Sequence, residues 1–202
     1  FGYTAVLGIL SQEQFSSQVQ RYSKIGFTDF KIKLSGKFQL DNDNISHVNT
    51  TITNSRIRLD ANNLWKNWHS AADYIKRLGL DFLGVEEPLA HGDFEGMKKF
   101  SNSTNTPVIL DESFLRFENF NHIVANPKNW LINLRISKMG GILRSIEIAN
   151  QAENLGLPLI IGAQVGETSI LSRAALSIAN HYRDLVTAQE GAFGTYLLEK
   201  DI

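Results

Sequence analysis

Short apolar runs alternate with amphipathic stretches along the whole chain, and this alternation limits the available folds more than any other feature. The runs are YTAVLGIL (3–10), FTDFKIKL (27–34), SRIRLDAN (55–62), LDFLGVEEP (80–88), TPVILDES (106–113), WLINLRIS (130–137), LPLIIGAQVG (157–166) and LVTAQEG (185–191). Each is brief and rich in Val, Ile, Leu or Phe, as strands buried on both faces of a parallel sheet are. Between them, SQEQFSSQVQRYSKIG opens on Ser11, a good N-cap, and closes on Gly26, a good C-cap. NWHSAADYIKRLG, DFEGMKKFSN, GILRSIEIANQAENLG and SILSRAALSIANHY follow the same helical pattern. Eight strands alternating with helices predict a parallel α/β fold, and eight strands close a TIM-like barrel. A doubly wound open sheet is the competing architecture. No G-x-G-x-x-G follows the first run, which weighs against a dinucleotide-binding version of it.

The 202 residues, 43% of them hydrophobic, suffice for one domain with a sizeable core, spanning residues 1–202. Lys and Arg number 20 against 21 Asp and Glu, with no long run of one sign, so neither nucleic acid nor a membrane surface is an expected partner. The absence of cysteine excludes disulfides, thiolate metal sites and thiol catalysis, and fits a cytoplasmic location. No apolar run approaches the ~20 residues of a membrane span. The chain begins at Phe1 inside what reads as a strand, so a further segment is expected upstream.

Polar residues interrupt the apolar runs with a long period. Lys33 ends the second run, Asp60 the third, Glu86 the fourth and Asp111 the fifth; Arg135 lies in the sixth, Gln164 ends the seventh and Gln189 the eighth. The gaps are 27, 26, 25, 24, 29 and 25 residues, one β/α unit each. In a closed barrel these strand ends converge on one mouth, where barrel active sites lie.

Three carboxylates drawn from adjacent strands repel one another and raise one another's pKa unless a cation joins them. All-oxygen donors select a hard divalent ion, Mg²⁺ or else Mn²⁺, with positions left for water and substrate. Lys31 and Lys33 flank the acids on one side and Arg135 on the other. The two lysines alternate with Ile32, so they share a strand face and are expected to depress each other's pKa. A lysine brought towards neutrality can act as a general base. Taken singly, K-I-K reads as a solvated edge strand and a strand-end Asp as a turn or cap. The whole series at near-constant period points to function.

Together these segments resemble the enolase superfamily. FKIKL resembles its K-x-K motif, RLDAN its D-x-N motif, VEEP its E-x-P motif and LDES its D-E-S motif. NLRISKMGGI resembles the sixth-strand segment of the muconate-lactonising subgroup, which also contains dipeptide epimerases and o-succinylbenzoate synthases. The match runs from Lys31 to about Gly194. The resemblance implies an enolase C-terminal domain-like (β/α)7β barrel binding Mg²⁺ through Asp60, Glu86 and Asp111. It also implies capture of a substrate carboxylate and removal of its α-proton to give an enediolate. Lys33 would be the base and Lys31 its support; Asn62 and Glu112 would hydrogen-bond around the site. Glu112 has an alternative as an exposed helix-start residue. The pattern selects Glu86 over Glu87, the alternative being that Glu87 faces inward.

Arg135 stands where that subgroup normally offers a second lysine, the opposite-face base of its racemases and epimerases. Arginine stays protonated and serves as a fixed cation rather than a base. One-base chemistry, a cycloisomerase or lyase, is therefore the main expectation. The alternatives are a two-base racemase or epimerase acting on a dipeptide or N-acyl amino acid, and a non-catalytic barrel with a binding role. Lys138 falls three residues beyond Arg135, on the opposite strand face or in a loop, and is a weak replacement base. Gln164 and Glu167 would line the seventh loop, Glu167 alternatively capping the following helix. TAQEGAFG lacks the paired aspartates of dipeptide epimerases, and Glu190 is the one acid there able to take over such a role. No His ends the seventh run, and only His91 falls in a mouth loop. The resemblance further implies a small-molecule carboxylate substrate, a homo-oligomer and an N-terminal capping domain, which is expected to lie outside this chain.

Overall fold

The computed structural model describes residues 2–164 and 167–191. Val165 and Gly166 of the seventh run, and the reach of the resemblance past Gly191, lie outside the described residues. In order the elements are β1 (Ala5–Leu7), α1 (Gln12–Ile25), β2 (Asp29–Lys33), α2 (Phe38–Thr51), β3 (Arg56–Asp60), α3 (Trp68–Leu78), β4 (Val85–Glu86), α4 (Phe94–Thr104), β5 (Val108–Leu110), α5 (Phe120–Ile123), β6 (Trp130–Leu134), α6 (Ile136–Met139), α7 (Ile142–Leu155), β7 (Leu159–Ile161), α8 (Ser169–His181) and β8 (Val186–Gln189). All eight expected strands form, each shorter than its apolar run. They pair in parallel and in sequential order from β1 to β8, as successive β/α units demand.

Sequence-local signals set the helix ends. Ser11 caps α1 by accepting from the Gln14 N–H, and the Gln14 side chain accepts from the Ser11 N–H in return. Gly26 ends the helix at φ 93°, a left-handed conformation that glycine adopts without strain. Asn67 and Asp93 cap α3 and α4 in the same way, each accepting from the backbone N–H three residues on.

The strands divide their side chains between two faces. Phe30, Ile32, Leu59, Val85, Val108, Leu110, Ile132, Leu134, Leu159 and Ile161 are buried against the helices in the main core. The other face is the inside of the curl, where Ile109, Leu131, Ile160 and Ala188 form a small apolar cluster. Fully burying each large aliphatic side chain stabilises the fold by about 1.5–3 kcal/mol, so the helix-facing layer supplies most of the cohesion. The inner layer above and beside the small cluster is left to charged groups. The curl brings distant strands together: the Thr4 N–H donates to the Gln189 carbonyl at 2.7 Å, and the Arg56 guanidinium donates to the Thr187 carbonyl at 2.8 Å. Among the described residues no helix is long and apolar enough to cross a membrane.

Candidate active site

Strand register assembles the first part of the site. Lys33 is the register partner of Asp60, and Asp60 of Glu86, so the ends of β2, β3 and β4 present these three side by side. Asp111 is the first residue after β5, Arg135 the first after β6 and Glu190 the first after β8. Gln189 departs from the expected series. It pairs with Ile161, a residue of the helix-facing core, so Gln189 is on the outer face and its neighbour Glu190 takes the inner position.

Inside the curl, cations and carboxylates alternate. The buried Lys31 ammonium lies 2.7 Å from Glu86 Oε1, 3.1 Å from Asp60 Oδ2 and 3.3 Å from Glu190 Oε1. Lys33 is held more loosely: its side chain is 40% exposed and its Nζ is 3.8 Å from Asp60 Oδ2. Arg135 Nη2 sits 2.7 Å from Asp111 Oδ2 and 3.5 Å from Glu86 Oε1, and Nη1 donates to Gln164 Oε1 at 3.4 Å. That is what the arginine of the sixth run faces: two of the three expected metal ligands.

The two lysines were expected to depress each other's pKa. For Lys31 the outcome is the reverse. Burial pulls its ammonium down, but Glu86, Glu190 and Asp60 outweigh burial and hold it above the usual lysine range. Lys31 is therefore a permanent cation. Arg135 is likewise held charged: burial opposes it, and Asp111, Glu190 and Glu86 more than compensate. Burial pushes the Glu86 carboxyl up despite Lys31, and its neighbours Asp60, Glu190 and Asp111 push in the same direction.

Backbone-derived contacts hold the acids in place. Asn62, at φ 45°, turns its side-chain amide onto Asp60 Oδ1 at 2.7 Å, leaving Oδ2 to the lysines. Glu87 does not compete with Glu86 for the site. At φ 41° it turns the other way, and its buried carboxylate accepts from the Asp111 and Ser113 N–H groups, both at 2.8 Å, and from Ser113 Oγ at 2.7 Å. It thus clamps the segment that carries Asp111, a role the motif alone did not reveal. Glu167 Oε1 accepts from the Gln164 N–H at 2.8 Å and serves the seventh loop; the Thr168 N-cap of α8 has no side-chain cap bond.

Lys138 is the main correction. β6 ends at Leu134, so Lys138 is neither on the far strand face nor in an open loop but on the short helix α6. Its Nζ lies 2.9 Å from Asp111 Oδ1 and 2.8 Å from Glu112 Oε1. Glu112, half-exposed, is a partner for Lys138, which outweighs the effect of burial and holds its carboxyl below the usual range. Glu190 is also committed elsewhere than expected. Its Oε1 is 2.5 Å from Arg58 Nη2, besides its contact with Lys31, so it is bound to two cations of the chain rather than free for a substrate ammonium. Arg58 is fully buried, and the RLDAN motif gives no sign of it, since the resemblance assigns a role only to Asp60 and Asn62. Its Nη1 also donates to Thr4 Oγ1 at 3.0 Å and approaches Asp29 Oδ1 at 3.5 Å. His91 is exposed.

The donor set suits a hard divalent ion: Asp60, Glu86 and Asp111 are buried at the ends of neighbouring strands, and Glu86 Oε2 is buried with no hydrogen-bond partner. Yet among the described residues no three His, Asp or Glu side chains converge closely enough to hold an ion as they stand. Lys31 stands between Asp60 and Glu86, and Arg135 between Glu86 and Asp111.

Comparison with known proteins follows the same lines. The family described as enolase C-terminal domain-like matches residues 14–201. The N-succinyl-L-Arg/Lys racemase of Bacillus cereus is 28% identical over 204 residues, covering 100% of this chain and 54% of the racemase. The L-Ala-D/L-Glu epimerase of Bacillus subtilis is 29% identical over 184 residues, covering 89% of this chain and 50% of the epimerase. Among solved structures, the N-succinyl Arg/Lys racemase from Bacillus cereus superposes with a TM-score of 0.88 at 27% identity, over 100% of this chain and 55% of that one. The dipeptide epimerase from Enterococcus faecalis, complexed with Mg and the dipeptide L-Leu-L-Tyr, gives 0.87 at 26% identity, over 99% and 56%. The chain spans about half the length of the curated relatives it matches.

Proposed function

Because the chain belongs to the enolase C-terminal domain-like family, we propose that it forms the catalytic part of a Mg²⁺-dependent racemase or epimerase that moves the α-proton of a carboxylate substrate. The relatives are racemases and epimerases, which favours this two-sided chemistry over the cycloisomerase or lyase suggested by Arg135 alone. On this reading the curled sheet is the greater part of a (β/α)7β barrel, with the Thr4–Gln189 bond in support.

One observation carries the proposal: two lysine amines flank the carboxylate row from opposite ends. Lys33 approaches Asp60 from β2, and Lys138 approaches Asp111 from α6. A two-base reaction needs an acid–base group on each side of the α-carbon, one to take the proton and one to return it. Lys33, partly exposed and loosely held, takes the first role; Lys138 takes the second in place of a lysine at position 135. Mg²⁺ held by Asp60, Glu86 and Asp111 would supply positive charge to the substrate carboxylate and so acidify the α-carbon. Lys31 and Arg135, both held protonated, stabilise the extra negative charge that follows proton loss. Asn62 and Glu87 keep Asp60 and Asp111 aimed at the mouth.

The test is the fate of solvent deuterium at the α-carbon of N-succinyl-L- and N-succinyl-D-arginine and at the glutamyl α-carbon of L-Ala-L-Glu and L-Ala-D-Glu, each with Mg²⁺. Incorporation from both configurations is expected. Exchange confined to one configuration would instead support a one-sided reaction with Lys33 as sole base and Arg135 as fixed cation, the second reading that Arg135 favours.

A further inference from the structure

The Arg135 guanidinium lies on the edge shared by Glu86 and Asp111. Its Nη2 touches Asp111 Oδ2 at 2.7 Å and Glu86 Oε1 at 3.5 Å, on the inner side of two carboxylates assigned to the metal. The other Asp111 oxygen is engaged by Lys138. Mg²⁺ binds carboxylate oxygens at about 2.0–2.1 Å in near-octahedral geometry, which leaves no room for a guanidinium on the same lone pairs. Two cations crowded onto one pair of carboxylates would also repel.

The surroundings are shaped for the arginine. Gly162, the first residue after β7, leaves space shared by Asn133 and the arginine stem: a Cβ there would collide with Asn133 Oδ1 and come within 2.8 Å of Arg135 Cγ and 3.0 Å of Nε. Nε is itself buried without a hydrogen-bond partner, so the guanidinium's hold on the site is incomplete. Gln164, exposed on the seventh loop and already in contact with Nη1, marks a second position towards which the head group can swing.

We infer that Arg135 is a tethered competitor of the divalent ion: it neutralises Glu86 and Asp111 when the ion is away and must leave their shared edge when the ion binds. The inference rests on the assignment of Asp60, Glu86 and Asp111 as the ion's ligands. Ion affinity is set partly by the work of displacing an internal cation, and the displaced guanidinium becomes available to the substrate carboxylate.

The experiment is calorimetric titration of Mg²⁺ alone, without substrate, into the wild-type chain, Arg135→Met and Arg135→Lys, with each variant's folding checked by circular dichroism. Arg135→Met is expected to bind Mg²⁺ at least tenfold more tightly than wild type and to show a larger Mg²⁺-induced rise in melting temperature. Arg135→Lys, whose single ammonium cannot span both carboxylates, is expected to fall between the two and to report on the inference should Arg135→Met not fold. Equal or weaker affinity in the variants overturns the competition while leaving the ligand assignment standing. An absence of Mg²⁺ binding in all three proteins overturns the assignment, and the inference with it.

Discussion

Arg58→Met should destabilise the chain by about 3–5 kcal/mol, the usual cost of removing one partner from a buried ion pair. The methionine roughly fills the volume of the arginine stem, so the loss reports on charge rather than on a cavity. Arg58 is fully buried and joins four groups, Asp29 on β2, Thr4 just before β1, Glu190 just after β8 and, through Glu190, Lys31 on β2. Without it, two buried anions lose their Arg58 contact: Asp29 is left with Arg56 at 3.6 Å and Glu190 with Lys31 at 3.3 Å. Urea unfolding measures the effect, and Arg58→Met combined with Glu190→Gln should recover part of it, since the pair then loses both charges.

The same network predicts an acid limb in the stability curve. Burial alone would raise the Glu190 carboxyl, but Lys31, Arg58 and Arg135 outweigh it and hold the carboxyl at about 2, against an ordinary value of 4.5. A folded pKa below the unfolded one gives stability that is fully present above the unfolded value and is lost as pH falls through the folded one. The Glu190 contribution should therefore fade between about pH 4.5 and pH 2, and Arg58→Met should flatten that part of the curve.

The largest effect on chemistry is expected at Lys33. Lys33→Ala should lower the rate of α-deuterium exchange by about 10²–10⁴-fold from the configuration whose α-proton faces Lys33, the range that a positioned acid–base group contributes, while exchange from the configuration facing Lys138 persists. Its melting temperature should barely change. The amine is 40% exposed with one long contact at 3.8 Å, and exposed ion pairs of this kind contribute about 0–1 kcal/mol. Lys31→Ala makes the informative contrast. It strips three carboxylates of a buried cation, so both stability and activity should fall. Undiminished exchange from both configurations in Lys33→Ala would remove Lys33 from the chemistry.

Much of this molecule is legible in one dimension because its signals are local or strictly periodic. The eight apolar runs, the Ser11 and Gly26 caps and the β/α spacing of the acids needed no long-range information. α2 escaped notice because its buried face is half polar. Asp41 and Asn44 share it with Ile45 and Val48, and Asp41 is buried in order to accept from the Ser35 and Gly36 N–H groups and the Tyr74 hydroxyl. Strand alternation misplaces Lys138 because past Leu134 the chain turns into a helix and the period changes from 2 to 3.6. Glu190, not Gln189, takes the inner position because of the shifted pairing between β7 and β8, which no spacing argument anticipates. Arg58 lay in plain view one residue before Leu59. A buried arginine is recognisable only when its partners just before β1, on β2 and just after β8 are known.

The central claim is that carboxylates on three successive strands share one divalent ion. Crystals of the protein grown with Mn²⁺, examined by anomalous diffraction, test it most directly. The account predicts a single strong peak within bonding distance of oxygens from Asp60, Glu86 and Asp111 together, with the Arg135 guanidinium moved off the Glu86–Asp111 edge. A fully occupied manganese elsewhere, with those three carboxylates still held by Lys31, Arg135 and Lys138, would contradict it.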